Sequence, residues 1–383
     1  MKVTGIICEY NPLHMGHSKQ LELVKKQQQP EDGIVCLMSG NYVQRGAPAV
    51  FDKMHRAKAA VLCGADLVLE LPVTVSLSSA EGFAAGGVQI LSPFCNDLCF
   101  GAENADRDLL NSTAHALLDP AFSTQLRTQL DKGMSFPAAR QAALEAMGVD
   151  ASLLSAPNSI LAVEYCKAIL QQNASMAILP IQRCGSYHDT EVDRENPSAT
   201  AIRKCIAEQK PWLDHIPSAA QGCFQDATTH SLAAGERAML ARLRCMDEDD
   251  FAALPYGSEG LWRKLMHAVR SEATLEDILA SVKSKRYTRS RLDRMVMCAF
   301  LGITQEMLNA PVPYVRVLAF NDRGREILKR ARVSGYFFNI GQAQTHPYQT
   351  LETRSGDLYG LFAEEAPENP GREENSRVFY HRQ

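Results

Sequence analysis

In the first half of the chain, apolar residues fall in short unbroken runs separated by helix-like patterns. From about Lys210 onward they recur mainly at helical spacing. The runs Val3 to Cys8, Gly33 to Met38, Ala65 to Leu71 (closed by Pro72), Asp97 to Phe100 and Met176 to Gln182 are too short for buried helices and read as strands. Ser18 to Lys26, with Leu21 and Leu23 as apolar anchors, reads as a helix, as do Asp52 to Cys63 and Ser78 to Leu91. Asp52 is a natural N-cap and Gly64 a natural stop. Further helical segments run between about Asp106 and Gln172. Strands alternating with helices predict βαβ units and a parallel sheet, so the fold class is α/β. The later helices are predicted at Leu232 to Leu243, Leu261 to Val269, Leu275 to Val282 and Thr288 to Leu301. A strand at Tyr314 to Phe320 and a helix after Gly324 are expected to pack back on them. The expected division is a sheet domain over 1–205, a mainly helical region over 206–363, and a poorly ordered Glu-, Pro-, Asn- and Arg-rich tail over 364–383.

Ligands of such sheets lie beyond the carboxyl ends of the strands. Four segments converge there: Asn11 to His17, Ser39 to Arg45, Gly101 to Asn104 and Arg183 to His188. The first dominates. A buried strand turns directly into a helix, with His14, Gly16 and His17 at the turn. Backbone amides at a helix start, its positive dipole end and two histidines suit an anion, and a triphosphate above all. A second candidate phosphate cradle lies at Ser198, Thr200 and Arg203, where hydroxyls open a helix with a cation one turn in, although a plain N-cap explains Ser198 equally well. Arg45 and Arg183 suit phosphate or carboxylate if they sit above the sheet. Tyr187-His188-Asp189 could form a His–Asp pair, but no nucleophile accompanies it. Asn158 lies at or near a helix start.

Composition narrows the possibilities. Net charge is −4, from 40 basic and 44 acidic residues, so any RNA contact must be a local patch. One stretch supplies it: VKSKRYTRSRLDRM, with Lys283, Lys285, Arg286 and Arg289 around Tyr287. A solvated helix face explains a charge run, but an aromatic inside it also suits RNA. Eleven cysteines sit scattered, several in apolar runs, as expected of reduced thiols in a cytoplasmic protein. Cys95 and Cys99 lack a second ligand pair, so a zinc site is not expected. No apolar stretch is long enough to span a membrane.

His14-Met15-Gly16-His17 resembles the His-x-Gly-His signature of the nucleotidyltransferase superfamily, and Ser198-Ala-Thr-Ala-Ile-Arg203 resembles the Ser-Ser-Thr-x-Ile-Arg element of several adenylyltransferases. GIICEYNPLHMGH, SGNYVQRGAPAVFDKMHRAKAAVLCGADLVLELP, CFGAEN, NSILAVEY, RCGSYHD, SATAIR and KSKRYTRSRLDRM together resemble, in order, the bacterial tRNA(Met) cytidine acetate ligases, over about Val3 to Ala331.

The resemblance implies a Rossmann-like, HUP-type nucleotidyltransferase domain followed by a mostly helical domain. It implies a ligase that activates acetate with ATP; Mg²⁺ is expected to bridge the phosphates, since the sequence shows no dedicated carboxylate cage. The acetyl group then passes to N4 of the wobble cytidine of elongator tRNA(Met), giving N4-acetylcytidine. The ATP positions it implies are Ile7, Cys8, Glu9, Tyr10, Asn11, Pro12, Leu13, His14, Met15, Gly16, His17, Ser18, Lys19 and Gln20, with Gly101, Asn158 and Arg183. His14 and His17 are the expected catalytic pair. Where the family reads Glu-Gly-Leu-Glu-Asn-Arg, this chain has Glu259-Gly260-Leu261-Trp262-Arg263-Lys264, a departure in the helical region. Two other functions fit some of the same residues: an adenylyltransferase for a small phosphorylated acceptor, and a non-catalytic, ATP-regulated RNA-binding protein.

Overall fold

The computed structural model describes residues 1–183, 198–284, 286–312, 314–331, 337–338 and 347–382. Strand β1 (Val3–Cys8) lies inside the main sheet, flanked by β2 (Gly33–Ser39) and β6 (Asp97–Ala102). The remaining strands are β5 (Leu67–Leu71), β7 (Ala177–Gln182), β8 (Val315–Asn321), β9 (Phe337–Phe338) and β10 (Phe379–His381). The order is β10-β8-β5-β2-β1-β6-β7, with β9 paired to β8. Pairs from β5 through β7 are parallel, in registers such as Ile6↔Cys36 and Phe100↔Pro180. β8 joins β5 antiparallel. One apolar face packs on Phe83, Val88 and Leu91 of the helix Ala80–Leu91, and the other on Leu21, Val24, Ala57 and Val61. Covering both faces explains why these strands read as unbroken apolar runs.

The chain builds outward from β1 through β2 and β5 on one side, then returns to place β6 on the other. Strand order therefore reverses at β1, which opens a crevice at the carboxyl ends of β1 and β6. Helix α1 (Met15–Lys26) begins one turn earlier than its apolar spacing predicts, because its first turn is capped by histidine rather than by Ser18. Leu21 and Val24 are its buried anchors, each contributing about 1.5–3 kcal/mol. Leu23, expected to be an anchor, is 42% exposed. Lys25 and Lys26 close the last turn, where cations complement the dipole.

Two expectations for the second half are corrected. The strand near Tyr314 to Phe320 does not pack on the helical region: β8 hydrogen-bonds to β5, and the helix Asp322–Ala331 places Ile327 beneath β2. The tail is not loose. β10 pairs with β8, and Glu373 is buried against Lys53 at the start of α2 (Lys53–Leu62) and against Arg316 of β8. Glu-, Pro- and Asn-rich composition reports the scarcity of apolar side chains. It carries no trace of ion pairs and edge-strand hydrogen bonds, which hold this segment. The helical region has its own core around Leu243, Phe251, Leu265, Ile278, Met295 and Phe300, and Tyr42, Val73 and Leu77 from the sheet half enter it.

Candidate active site

The loop leaving β1 reverses sharply through Tyr10, whose φ is +46°, and a cis Asn11–Pro12 peptide. His14 then caps α1. The Gly16 N–H donates to His14 Nδ1 (3.1 Å), and the His14 N–H donates to His17 Nδ1 (3.3 Å), a capping box made of two imidazoles. The rings stack with centroids 3.8 Å apart, and Tyr10 lies 4.9 Å from His17. An imidazole nitrogen that accepts from an amide carries no proton, so in each neutral ring Nε2 carries the hydrogen and is the donor left for a ligand.

Electrostatics keep the rings neutral. Burial, followed by Arg183, Arg203 and His215, pushes the His14 pKa down to about 3. Burial, then His14 and Arg183, holds His17 well below its usual range. The cap also changes the source of donors. The Gly16 amide is taken by His14 Nδ1 and the His17 amide by the His14 carbonyl (2.9 Å), so the helix start offers an anion fewer backbone amides than its sequence suggests. The imidazole Nε2–H groups and the guanidinium groups of Arg183 and Arg203 are the further donors beside it.

The other segments reach the same crevice. Ser198 caps the helix Ala199–Ala207, accepting from the Ala201 N–H (3.0 Å). Arg203 of that helix donates to the Asn11 carbonyl (2.7 Å) and to Thr200 Oγ1 (3.0 Å). The second cradle is thus tied directly to the opening loop. Arg183 follows β7, and its stem passes over Gly101 of β6, where an added Cβ would stand 3.0 Å from Arg183 Cγ. Asn158 sits in the first turn of the helix Pro157–Gln171 and donates through Nδ2 to Glu103 (2.7 Å). Arg183 and Arg203 therefore stand beside the two histidines, with Gly101 against the Arg183 stem, while Asn158 is tied to Glu103 after β6. Lys285 and the stretch Tyr187-His188-Asp189 lie outside the described residues.

Two residues of the stretches quoted above act through the loop backbone. Arg56, fully buried in α2, donates to the carbonyls of Glu9 (2.6 Å), Ser39 (3.1 Å), Phe51 (2.8 Å) and Gly40, fixing the ends of β1 and β2. Glu9 accepts from the Gln44 N–H (2.8 Å) at the tip of the hairpin β3 (Tyr42–Val43) and β4 (Ala47–Pro48), whose loop carries Arg45. Arg56 looks like one more exposed helical cation; only the loop carbonyls around it mark its role.

The basic stretch is more engaged than its sequence suggests. Tyr287, expected to be a stacking platform, is buried, with Arg291 over its ring. Arg289 is held by Glu276 and Asp293, and exposed Arg286 by Glu259. Lys283 is exposed. Among the described residues, no group of three or more His, Cys, Asp or Glu side chains could hold a metal ion, and no helix is long and apolar enough to cross a membrane.

Comparison with known proteins supplies independent findings. Residues 1–374 match the family described as HIGH Nucleotidyl Transferase. A tRNA(Met) cytidine acetate ligase of Clostridium novyi (strain NT) is 37% identical over 351 residues, covering 87% of this chain and 88% of its own. One from Thermosipho melanesiensis is 34% identical over 364 residues, covering 90% and 85%. The crystal structure of Thermotoga maritima TmcAL (apo, form I) is 28% identical, covers 100% of both chains and has a TM-score of 0.92. The form of that protein bound with alpha-thio ATP gives 0.89.

Proposed function

The chain belongs to the HIGH nucleotidyl transferase family and to the tRNA(Met) cytidine acetate ligases, and from that membership we propose that it acetylates the wobble cytidine of elongator tRNA(Met) using acetate and ATP. In the first step an acetate oxygen attacks the α-phosphorus and pyrophosphate leaves. In the second, the cytidine N4 amine attacks the acetyl carbonyl, AMP leaves and N4 loses a proton. Acetate, with an acidity near that of Glu (about 4.3), is ionised at neutral pH and needs no general base. What the first step needs is in-line positioning and stabilisation of charge. The observation that carries the reading is the imidazole capping box, two neutral rings with Nε2–H donors held beside Arg183 and Arg203 at the reversal of strand order.

In this reading the stretch from Ile7 to Gln20, with Gly101, Asn158, Arg183, Ser198, Thr200 and Arg203, holds ATP, while His14 and His17 act on the phosphates. Mg²⁺ would be bound by phosphate oxygens and water, its usual partners, rather than by a protein cage. The region from 206 presents the anticodon loop through Lys283, Lys285, Arg286 and Arg289. The reaction is placed in the cytoplasm, where tRNA and ATP are found.

Incubation with ATP, Mg²⁺, labelled acetate and tRNA(Met), followed by nucleoside analysis, tests the whole scheme. Label in N4-acetylcytidine that is lost with His17→Ala is expected. Label that stops at acetyl-adenylate overturns the RNA half, and unconsumed acetate overturns both. Joint replacement of Lys283, Lys285 and Arg286 by alanine is expected to weaken tRNA binding and lower its salt slope by roughly one to three. Unchanged affinity and slope remove these residues from the RNA edge.

A further inference from the structure

The loop after β6 and the helix start at Asn158 are joined by one side chain that the chemistry above does not use. Glu103 accepts from Asn158 Nδ2 (2.7 Å) and the Asn158 N–H (3.3 Å) with one oxygen. Its other oxygen accepts from the Ser159 N–H (2.7 Å) and Ser159 Oγ (2.9 Å). Glu103 itself is held from behind, since Gln182 Nε2 donates to its carbonyl and Gln182 Oε1 accepts from the Ala105 N–H (3.1 Å). Burial raises the pKa of this carboxyl, but the donors from Asn158 and Ser159 outweigh it and hold it below the ordinary carboxylate value, so it is ionised at neutral pH.

An ionised carboxylate accepts and never donates. It therefore admits one orientation of the Asn158 amide, with NH₂ toward Glu103 and the carbonyl oxygen turned away from it. No described residue donates to that oxygen. Without Glu103 the two ends of an amide are nearly the same shape, and either could face a ligand.

We propose that Glu103 is a positioning residue that fixes the Asn158 amide so that its Oδ1 accepts a hydrogen bond from the bound nucleotide. This rests on the reading of Asn158 as a nucleotide contact. The ligand group it would select is a donor, which ATP offers at the adenine 6-amine and at the ribose hydroxyls. An acceptor at the same place, such as the 6-oxo group of a hypoxanthine or guanine base, would face the Asn158 oxygen and be rejected. A site built around a fixed acceptor discriminates in this way because a mismatched polar pair is left unpaired.

Direct binding of ATP, ITP, 2′-deoxyATP and 3′-deoxyATP to the full chain tests this without depending on acetate or tRNA. In Glu103→Gln, the isosteric amide can donate to Asn158 and lets it turn over. The preference for ATP over one of these analogues is expected to shrink about ten- to a hundredfold. Collapse of the ATP/ITP ratio assigns the donor to the 6-amine; collapse of a deoxy ratio assigns it to the ribose. Glu103→Asp, too short to reach both Asn158 Nδ2 and the Ser159 amide, is expected to reduce the same ratio and serves if the glutamine variant folds poorly. A role confined to capping the helix would weaken all four nucleotides alike and leave the ratios intact, which would overturn the proposal. Asn158→Ala separates the two layers. If it moves the ratios while neither Glu103 variant does, only the positioning role fails. If it moves neither affinity nor ratios, Asn158 is not a nucleotide contact, and both fail.

Discussion

At the scale of single residues, the two nitrogens of each histidine ring are separable, because Nδ1 holds the helix cap and Nε2 is the nitrogen left to donate. His14→Asn preserves a good N-cap acceptor but has no donor at the Nε2 position. It is expected to change stability by no more than about 0.5 kcal/mol in urea melts, while acetate-dependent ATP–pyrophosphate exchange falls about 10²- to 10³-fold. His14→Ala should lose activity similarly and about 1 kcal/mol of stability as well. Retained exchange in His14→Asn would mean that the Nε2–H is not used. The pH behaviour follows from the same burial. The folded His14 pKa of about 3 lies below the ordinary 6.5, so on acidification the unfolded chain takes up a proton that the folded chain refuses. His14 therefore contributes stability that is present above pH 6.5 and is lost as pH falls from 6.5 toward 3. His14→Asn is expected to flatten that slope in melts between pH 7 and 5.

At the scale of elements, the buried ion cluster joins five segments that are distant in sequence. Lys53 pairs with Glu70 (2.6 Å) and Glu373 (2.5 Å), and Arg316 pairs with Glu373. Glu352, of the helix Pro347–Tyr359, accepts from the Val73 N–H (2.8 Å) beside them. Three carboxyls face two cations. Burial raises the pKa of Glu70 despite its contact with Lys53, and burial, then repulsion from Glu70, pushes Glu352 up to about 8. Its folded pKa lies above the ordinary 4.5, so the folded chain holds a proton that the unfolded chain has released. That stabilisation is full below pH 4.5 and is lost as pH rises through about 8. Glu352→Gln keeps the acceptor for Val73 and removes the titration, so it should nearly match the parent at pH 5 and exceed its melting temperature at pH 9. Equal decline of both proteins toward pH 9 would place the proton elsewhere. Glu373→Ala, which leaves Lys53 and Arg316 short of a carboxylate, is expected to cost about 3–5 kcal/mol in urea melts at pH 7.

At the scale of the whole molecule, the hairpin β3–β4 connects the loop after β1 to the helical region. Glu9 holds its tip, and Gly46, at φ +78°, lies so close to the helix Arg289–Leu301 that a Cβ would collide with the backbone of Asp293 and Arg294. Arg294 of that helix also donates to the Gln44 carbonyl (3.4 Å). Gly46→Val must displace the helix from the hairpin while leaving the histidine cap intact. Acetate-dependent pyrophosphate exchange is expected to survive, while acetylation of tRNA falls by up to about a hundredfold, the scale set by an ångström of misplacement. Equal loss in both assays would show that the hairpin supports the nucleotide site alone.

The sequence by itself determined what local chemistry can encode. Unbroken apolar runs specify doubly covered parallel strands, Asp52 and Ser198 specify caps, and His14-Met15-Gly16-His17 after β1 marks the turn into α1. What it left open is set by contacts between segments far apart in the chain. Tyr287 reads as an exposed aromatic until the helices bury it, and the tail reads as loose until Glu373 meets Lys53 and Arg316. Arg56 reads as a surface cation until four loop carbonyls enclose it. The orientation of Asn158 is decided by Glu103, 55 residues away. Periodicity and capping act over a few residues, and so they are written in order along the chain. The pairing of buried charges and amides is decided only when the sheet brings the partners together.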